Sequence, residues 1–178
     1  MTMLMFVRAS VLVVAVATQH VAGGVNFDEL TYPSGPCYTD TSHMHGGHYT
    51  DPGKTNQAGT DLDAVVEEVD AGVSGGAQLA LVILECDFPK GWNAQARVYR
   101  VAGGKAIALK QVAAFDESQS YLTGGGPLPS GGWIHVSFSG GKLYVDVWNK
   151  GTTWTVTTYA WRGGALVQLY RQVHQRRG

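Results

Sequence analysis

Charge is scarce in this chain of 178 residues: Asp, Glu, Lys and Arg make up 15% of it, and the formal net charge is -1. So neutral a chain has no global field to recruit nucleic acid. The sequence contains no His-Glu-x-x-His pair and no phosphate-binding Gly-rich loop ending in Gly-Lys-Ser/Thr, so zincin and nucleotide chemistries lack their anchoring residues. Cysteine is limited to Cys37 and Cys86, which excludes a Cys-x-x-Cys redox motif. The N-terminal apolar run, Ala9 to Ala17, falls far short of the roughly 20 residues that span a bilayer. Disorder is excluded too. Hydrophobic residues reach 44% and the 24 glycines separate short apolar runs, the pattern of an all-β domain. Between Asp28 and Asp70 there are nine acids and one base, Lys54, while Arg171, Arg176 and Arg177 cluster near the end. Both sets are expected on solvated surfaces.

The hydrophobic centre is Ala77 to Cys86, AQLALVILEC. Read with a period of two, Leu79, Leu81 and Ile83 form one face and Ala80, Val82, Leu84 and Cys86 the other, so a strand here must be covered on both sides. The Val82-Ile83 pair, the Gly75-Gly76 turn and Pro89 favour strand over helix. Upstream, Asn26 to Tyr32 reads as an edge strand stopped by Pro33-Ser34-Gly35-Pro36, and Tyr38 to Thr50 as a hairpin around Gly46-Gly47. Thr60 to Gly72 fits two readings. Leu62, Val65, Val66 and Val69 have helical spacing, with Thr60 and Asp63 as a capping pair; the β-branched content favours a strand from Val65 to Val69.

Downstream, Asp87 to Asn93 reads as a loop, Ala94 to Val101 and Ala106 to Ala113 as a hairpin around Gly103-Gly104, and Ser118 to Ser130 as a second loop. Trp133 to Ser139, Lys142 to Trp148, Thr153 to Trp161 and Ala165 to Val173 then form a four-strand meander. The expected fold is mostly β, an antiparallel sandwich or half-open barrel of about nine or ten strands built from Gly-Gly hairpins.

Residues 1 to 24 read as a secretory signal peptide. Arg8 precedes the apolar run, and Ala15-Val16-Ala17 and Val21-Ala22-Gly23 are small-residue cleavage patterns. Residues 25 to 178 are then a single secreted, extracellular β domain with no membrane span in the mature chain. In an oxidising compartment Cys37 and Cys86 are expected to form a disulfide, contributing about 4 kcal/mol by the loop-entropy model.

Asp70 to Cys86, DAGVSGGAQLALVILEC, followed by Gln95 to Leu109, QARVYRVAGGKAIAL, resembles a degenerate FG-GAP or VCBS-type β repeat of bacterial secreted proteins. Leu30 to Cys37, LTYPSGPC, resembles the opening of such domains, so the likeness spans about residues 26 to 113. It implies a secreted β domain. It does not imply calcium, because Gly72 and Ser74 stand where acidic ligands would be expected.

Two sets of residues could bind something. In the meander, Trp133, His135, Tyr144, Asp146, Trp148, Tyr159 and Trp161 alternate with the core residues and mix aromatic rings with hydrogen-bonding groups, as a face holding a sugar, peptide or partner would. In His-x-His-x-x-His, extended backbone puts His43 and His45 on one side, and a turn at Gly46-Gly47 would bring His48 to them as a third metal ligand. A triad from His135, Ser137 and Asp146 is the residual catalytic arrangement. The sequence therefore points first to a non-enzymatic domain that binds an extracellular ligand or protein, with no catalytic residues, cofactor or nucleic acid, and second to a His-ligated metal protein, including a metal-dependent hydrolase. Intact mass spectrometry of the secreted protein is expected to show a chain starting near Thr18 or Gly24 that is two hydrogens lighter than its reduced form. A retained leader, or two alkylatable thiols, would remove the basis for export.

Overall fold

The computed structural model describes residues 20–33, 42–55, 61–88, 91–116, 134–148 and 153–175. Cys37, Trp133 and residues 1–19 and 118–130, on which the expected leader, disulfide and second loop rest, lie outside them. The strands are β1 (Val21–Ala22), β2 (Val25–Asn26), β3 (Thr31–Tyr32), β4 (Ser42–His43), β5 (His48–Thr55), β6 (Asp61–Ser74), β7 (Ala77–Phe88), β8 (Gly91–Ala102), β9 (Lys105–Asp116), β10 (Ile134–Ser139), β11 (Lys142–Trp148), β12 (Thr153–Arg162) and β13 (Ala165–Gln175). Strands β5 to β9 form one antiparallel sheet and β10 to β13 another, each in chain order, with β1-β2 and β3-β4 as two small hairpins. Among the described residues, six tight turns are Gly-Gly pairs. At Gly75 and Gly76, for example, φ is 52° and 80°, a region that residues with a Cβ rarely enter.

The two-faced centre behaves as its composition requires. Leu79, Leu81 and Ile83 pack with Ala96 and Val98 of β8 against Ile134, Val136, Leu143 and Val145 of the second sheet. On the opposite face Ala80, Val82, Leu84 and Cys86 lie under Phe27, Tyr32 and Met44 from the N-terminal hairpins. Tyr99 meets Phe27 and Tyr32 edge-on, with centroids 5.8 and 6.0 Å away. The fold is thus a sandwich, with the N-terminal hairpins as a third layer. Strand β10 touches β6, β7, β8 and β9 in turn, so the second sheet lies across the strands of the first.

Several local readings change. Asn26 to Tyr32 is not one edge strand: the Asn26 side chain accepts from the Asp28 N–H at 3.1 Å and caps a 3-10 turn at Phe27–Glu29, which lets both Phe27 and Tyr32 face inward. Asp87 to Asn93 is not a loop throughout, because the β7-β8 ladder continues through Asp87↔Trp92 to Phe88↔Gly91. The β1-β2 hairpin turns at Gly23-Gly24. Ala22 there is buried in the first core, and His20 binds Asp28 Oδ1 through Nδ1 at 2.8 Å and Oδ2 through its backbone N–H at 2.9 Å. Residues 61 to 74 are strand throughout. The register shifts between Val66 and Glu68. This bulge moves the inward phase from Ala64 and Val66 to Val69 and Ala71, which is why the apolar spacing imitates a helix.

Beyond the bulge, Asp70, Gly72 and Ser74 face the second sheet and fasten it. Asp70 Oδ2 accepts the Phe138 N–H at 2.7 Å. Ser74 Oγ donates to the Gly141 carbonyl at 2.6 Å and accepts the Trp161 N–H at 2.9 Å. Between them, a Cβ on Gly72 would overlap the Phe138 ring. Gly72→Ala is therefore expected to destabilise the fold by about 1–3 kcal/mol, a drop of several degrees in Tm in thermal denaturation. Phe138→Leu added to Gly72→Ala should recover part of the loss; equal Tm values for wild type and Gly72→Ala would show that the sheets are not in contact there.

Candidate functional site

The outer face of the second sheet is set by register. His135 pairs with Asp146 and Ser137 with Tyr144; Trp148 pairs with Trp154, and Trp154 with His174. The last three rings form a ladder across β11, β12 and β13. Trp148 and Trp154 are parallel with centroids 5.2 Å apart, and Trp154 and His174 lie 5.0 Å apart at 12°. All three are half-buried. One row along, Asp146 Oδ2 is 3.9 Å from His135 Nδ1, an ion-pair distance too long for a hydrogen bond. Asp146 Oδ1 is buried without a hydrogen-bond partner among the described residues. Burial raises the Asp146 carboxyl above the usual range, against the opposing pull of His135 and His174. In the third row, Thr158 is fully buried between Tyr144 and Tyr170, while Tyr170 is 46% exposed.

Of the residues expected on this face, His135, Tyr144, Asp146 and Trp148 occupy it together, whereas Trp133 lies outside the described residues. Tyr159 and Trp161 sit on the other face: Tyr159 is buried in the inter-sheet core and Trp161 packs against it. The cause is the composition of β12. Its inward positions include Thr155 and Thr157, so hydropathy does not mark the inner side, and the ring sharing a face with Trp148 is Trp154. The available signal for Trp154 was its place at the start of the strand run that follows the one ending in Trp148. Tyr159 instead borders a cleft of about 330 Å³ between β9 and β12-β13, where Lys110 Nζ stands 5.8 Å from its ring centroid.

The N-terminal hairpins carry a second cluster. Ser42 and Met44 are buried while His43 and His45 are exposed, the alternation of an extended chain, and the two imidazoles lie 4.6 Å apart, edge to face. His48 does not join them. The chain does turn at Gly46-Gly47, and His45 and His48 form a bridge, but His48 Nδ1 lies 3.5 Å from Asp63 Oδ2. Glu29 takes the third place: its Oε2 lies 3.3 Å from His45 Nδ1, and its Oε1 accepts the Gly46 N–H at 2.7 Å. The Gly46 hydrogen bond, with help from His45 and His43, lowers the Glu29 pKa. Ligand atoms of Glu29, His43 and His45 all lie within 4.8 Å of one another. No local pattern marks Glu29, because its meeting with His43 depends on the two-residue β3-β4 pairing.

No family model, curated protein or solved structure matches this chain. Gly72-Val73-Ser74-Gly75-Gly76 has the spacing of a nucleophile elbow, yet it joins two antiparallel strands rather than a strand to a helix. Ser74 is also buried and fully engaged with Gly141 and Trp161. Among the described residues no helix is long and apolar enough to cross a membrane.

The raised Asp146 pKa has a sign that can be tested. The protonated acid suits the fold better than the carboxylate, so its contribution is present below the ordinary Asp range and is lost as pH rises through the elevated value. Asp146→Asn, which stays neutral, is expected to raise Tm at neutral pH and to lose that advantage as the buffer nears about pH 4. Differential scanning fluorimetry across this range checks it; a neutral-pH Tm no higher than wild type would show that the two histidines already offset the burial.

Proposed function

We propose that this chain is an exported, non-enzymatic β domain that holds an extracellular ligand or partner on the outer face of its second sheet. The half-exposed ladder of Trp148, Trp154 and His174 carries this reading. Both faces of Trp154 are taken by its neighbours, so a ligand would meet the ring edges of the ladder and the outward face of His174. Asp146 and His135 stand beside them as hydrogen-bonding groups. Flat apolar area bordered by such groups suits the alternating polar and apolar surfaces of a sugar ring or an extended peptide. The leader pattern supports export, and in an oxidising compartment a Cys37–Cys86 disulfide would tie the N-terminal segment to the end of β7. Cleavage after Ala17 fits this proposal better than cleavage after Gly23, because it keeps His20 and the β1 strand.

Trp148→Ala is expected to lower glycan-array or cell-wall pull-down signal by about tenfold or more, the loss of a binding hot spot. Its Tm should fall only by the few degrees that match about 0.5–1.5 kcal/mol of lost ring stacking. Tyr170→Ala, on the same face, should weaken binding with even less effect on Tm. Collapse of the Trp148→Ala fold, or undiminished binding in both variants, would sink the proposal.

A further inference from the structure

The second cluster lies on the far side of the sandwich from the aromatic face and stands independently of the binding role proposed there. We propose that Glu29, His43 and His45 form a surface site for a borderline divalent metal ion such as zinc, with water completing the coordination shell.

The donor set comes first. Two imidazoles and one carboxylate suit zinc, copper and nickel, and do not suit calcium or magnesium, which take oxygen ligands. Separation is the second point. Zinc–ligand bonds of 2.0–2.2 Å place tetrahedral donor atoms roughly 3.4 Å apart. Donor atoms already within 4.8 Å close to that spacing by small side-chain rotations at exposed positions, with no movement of the backbone.

Orientation is the third point, and it separates this cluster from a chance meeting of exposed side chains. Metal-ligating groups are usually held by a second set of hydrogen bonds. Here His43 Nδ1 lies 2.9 Å from Thr31 Oγ1. Metal binding selects the tautomer that donates Nδ1–H to this hydroxyl and leaves the Nε2 lone pair free. The Gly46 N–H holds Glu29 Oε1 at 2.7 Å, leaving Oε2 on the His45 side.

The backbone beneath is fixed. The Met44 N–H donates to the Leu30 carbonyl and the Gly47 N–H to the Asp28 carbonyl, each at 3.0 Å. Met44, between the two histidines, is fully buried. The residues carrying the three ligands are therefore tied to one another before any ion arrives, which spares the ordering that a flexible His-rich loop would require.

Isothermal titration of zinc chloride into the full, untagged chain is expected to show one site of micromolar rather than nanomolar affinity, as three exposed protein ligands leave the rest of the shell to water. His43→Ala and His45→Ala should each abolish it. Glu29→Gln keeps an oxygen for the Gly46 N–H but loses the charge, and should weaken binding by about tenfold or more; Thr31→Val, which touches no metal, should weaken it by roughly tenfold through His43. His48→Ala should bind as wild type does. Each variant is checked by circular dichroism, and these exposed positions should leave Tm unchanged. Absence of one-to-one binding would overturn the proposal. So would a His48→Ala loss as large as that of His45→Ala, with Glu29→Gln silent, because it would place the ion among three histidines instead.

Discussion

Six consecutive residues of β7, Leu79 to Leu84, are each no more than 2% exposed, and a strand buried on both sides cannot exist in a single sheet. At about 25 cal/mol per Å² of apolar surface, leaving either side wet would outweigh the few kcal/mol by which a domain of this size is stable. The chain answers with two covers built in different ways. The second sheet covers one side with the inward residues of β10 and β11. The other side receives short pieces, and large rings make up for their brevity: Phe27, Tyr32 and Met44 are fully buried although the strands that carry or border them have only two residues each. The first core is therefore held by side-chain volume and the second by extended strands.

Apolar contact brings two sheets together without fixing how they sit. Direction comes from β6, where Asp70 and Ser74 bond to the backbone of the second sheet on either side of the space at Gly72. A carboxylate and a hydroxyl near an inter-sheet seam would be costly without partners. With Phe138, Gly141 and Trp161 as partners they select one register. The Asp70 to Ser74 segment is thus the seam of the sandwich.

Much of the framework was legible because it rests on local patterns. The period of two in β7, β10 and β11 and the Gly-Gly turns each need only a few neighbouring residues to be read. What escaped depends on a shift of phase or on distant pairing. The bulge near Glu67 interrupts the alternation of β6 and produces helical spacing in a strand. In β12 the inward threonines hide which side is buried, so Tyr159 and Trp161 read as surface while Trp154 and His174 went unnoticed. At the N-terminal cluster His43 and His45 were legible as a pair, but Glu29 reaches them only through tertiary contacts. His48 looked equivalent to them in sequence and is separated by its lean toward Asp63.

In both large sheets each strand is hydrogen-bonded to the strands that precede and follow it in the chain. Pairings of this kind close small loops and lose little chain entropy before they are rewarded. Each sheet can therefore assemble as a succession of hairpins. The docking of β10 to β13 onto the first sheet, by contrast, joins distant parts of the chain. Until it occurs, Leu79, Leu81 and Ile83 remain open to water and to other chains. The Asp70 to Ser74 seam, by holding the sheets together, thus also keeps this apolar row away from neighbouring chains.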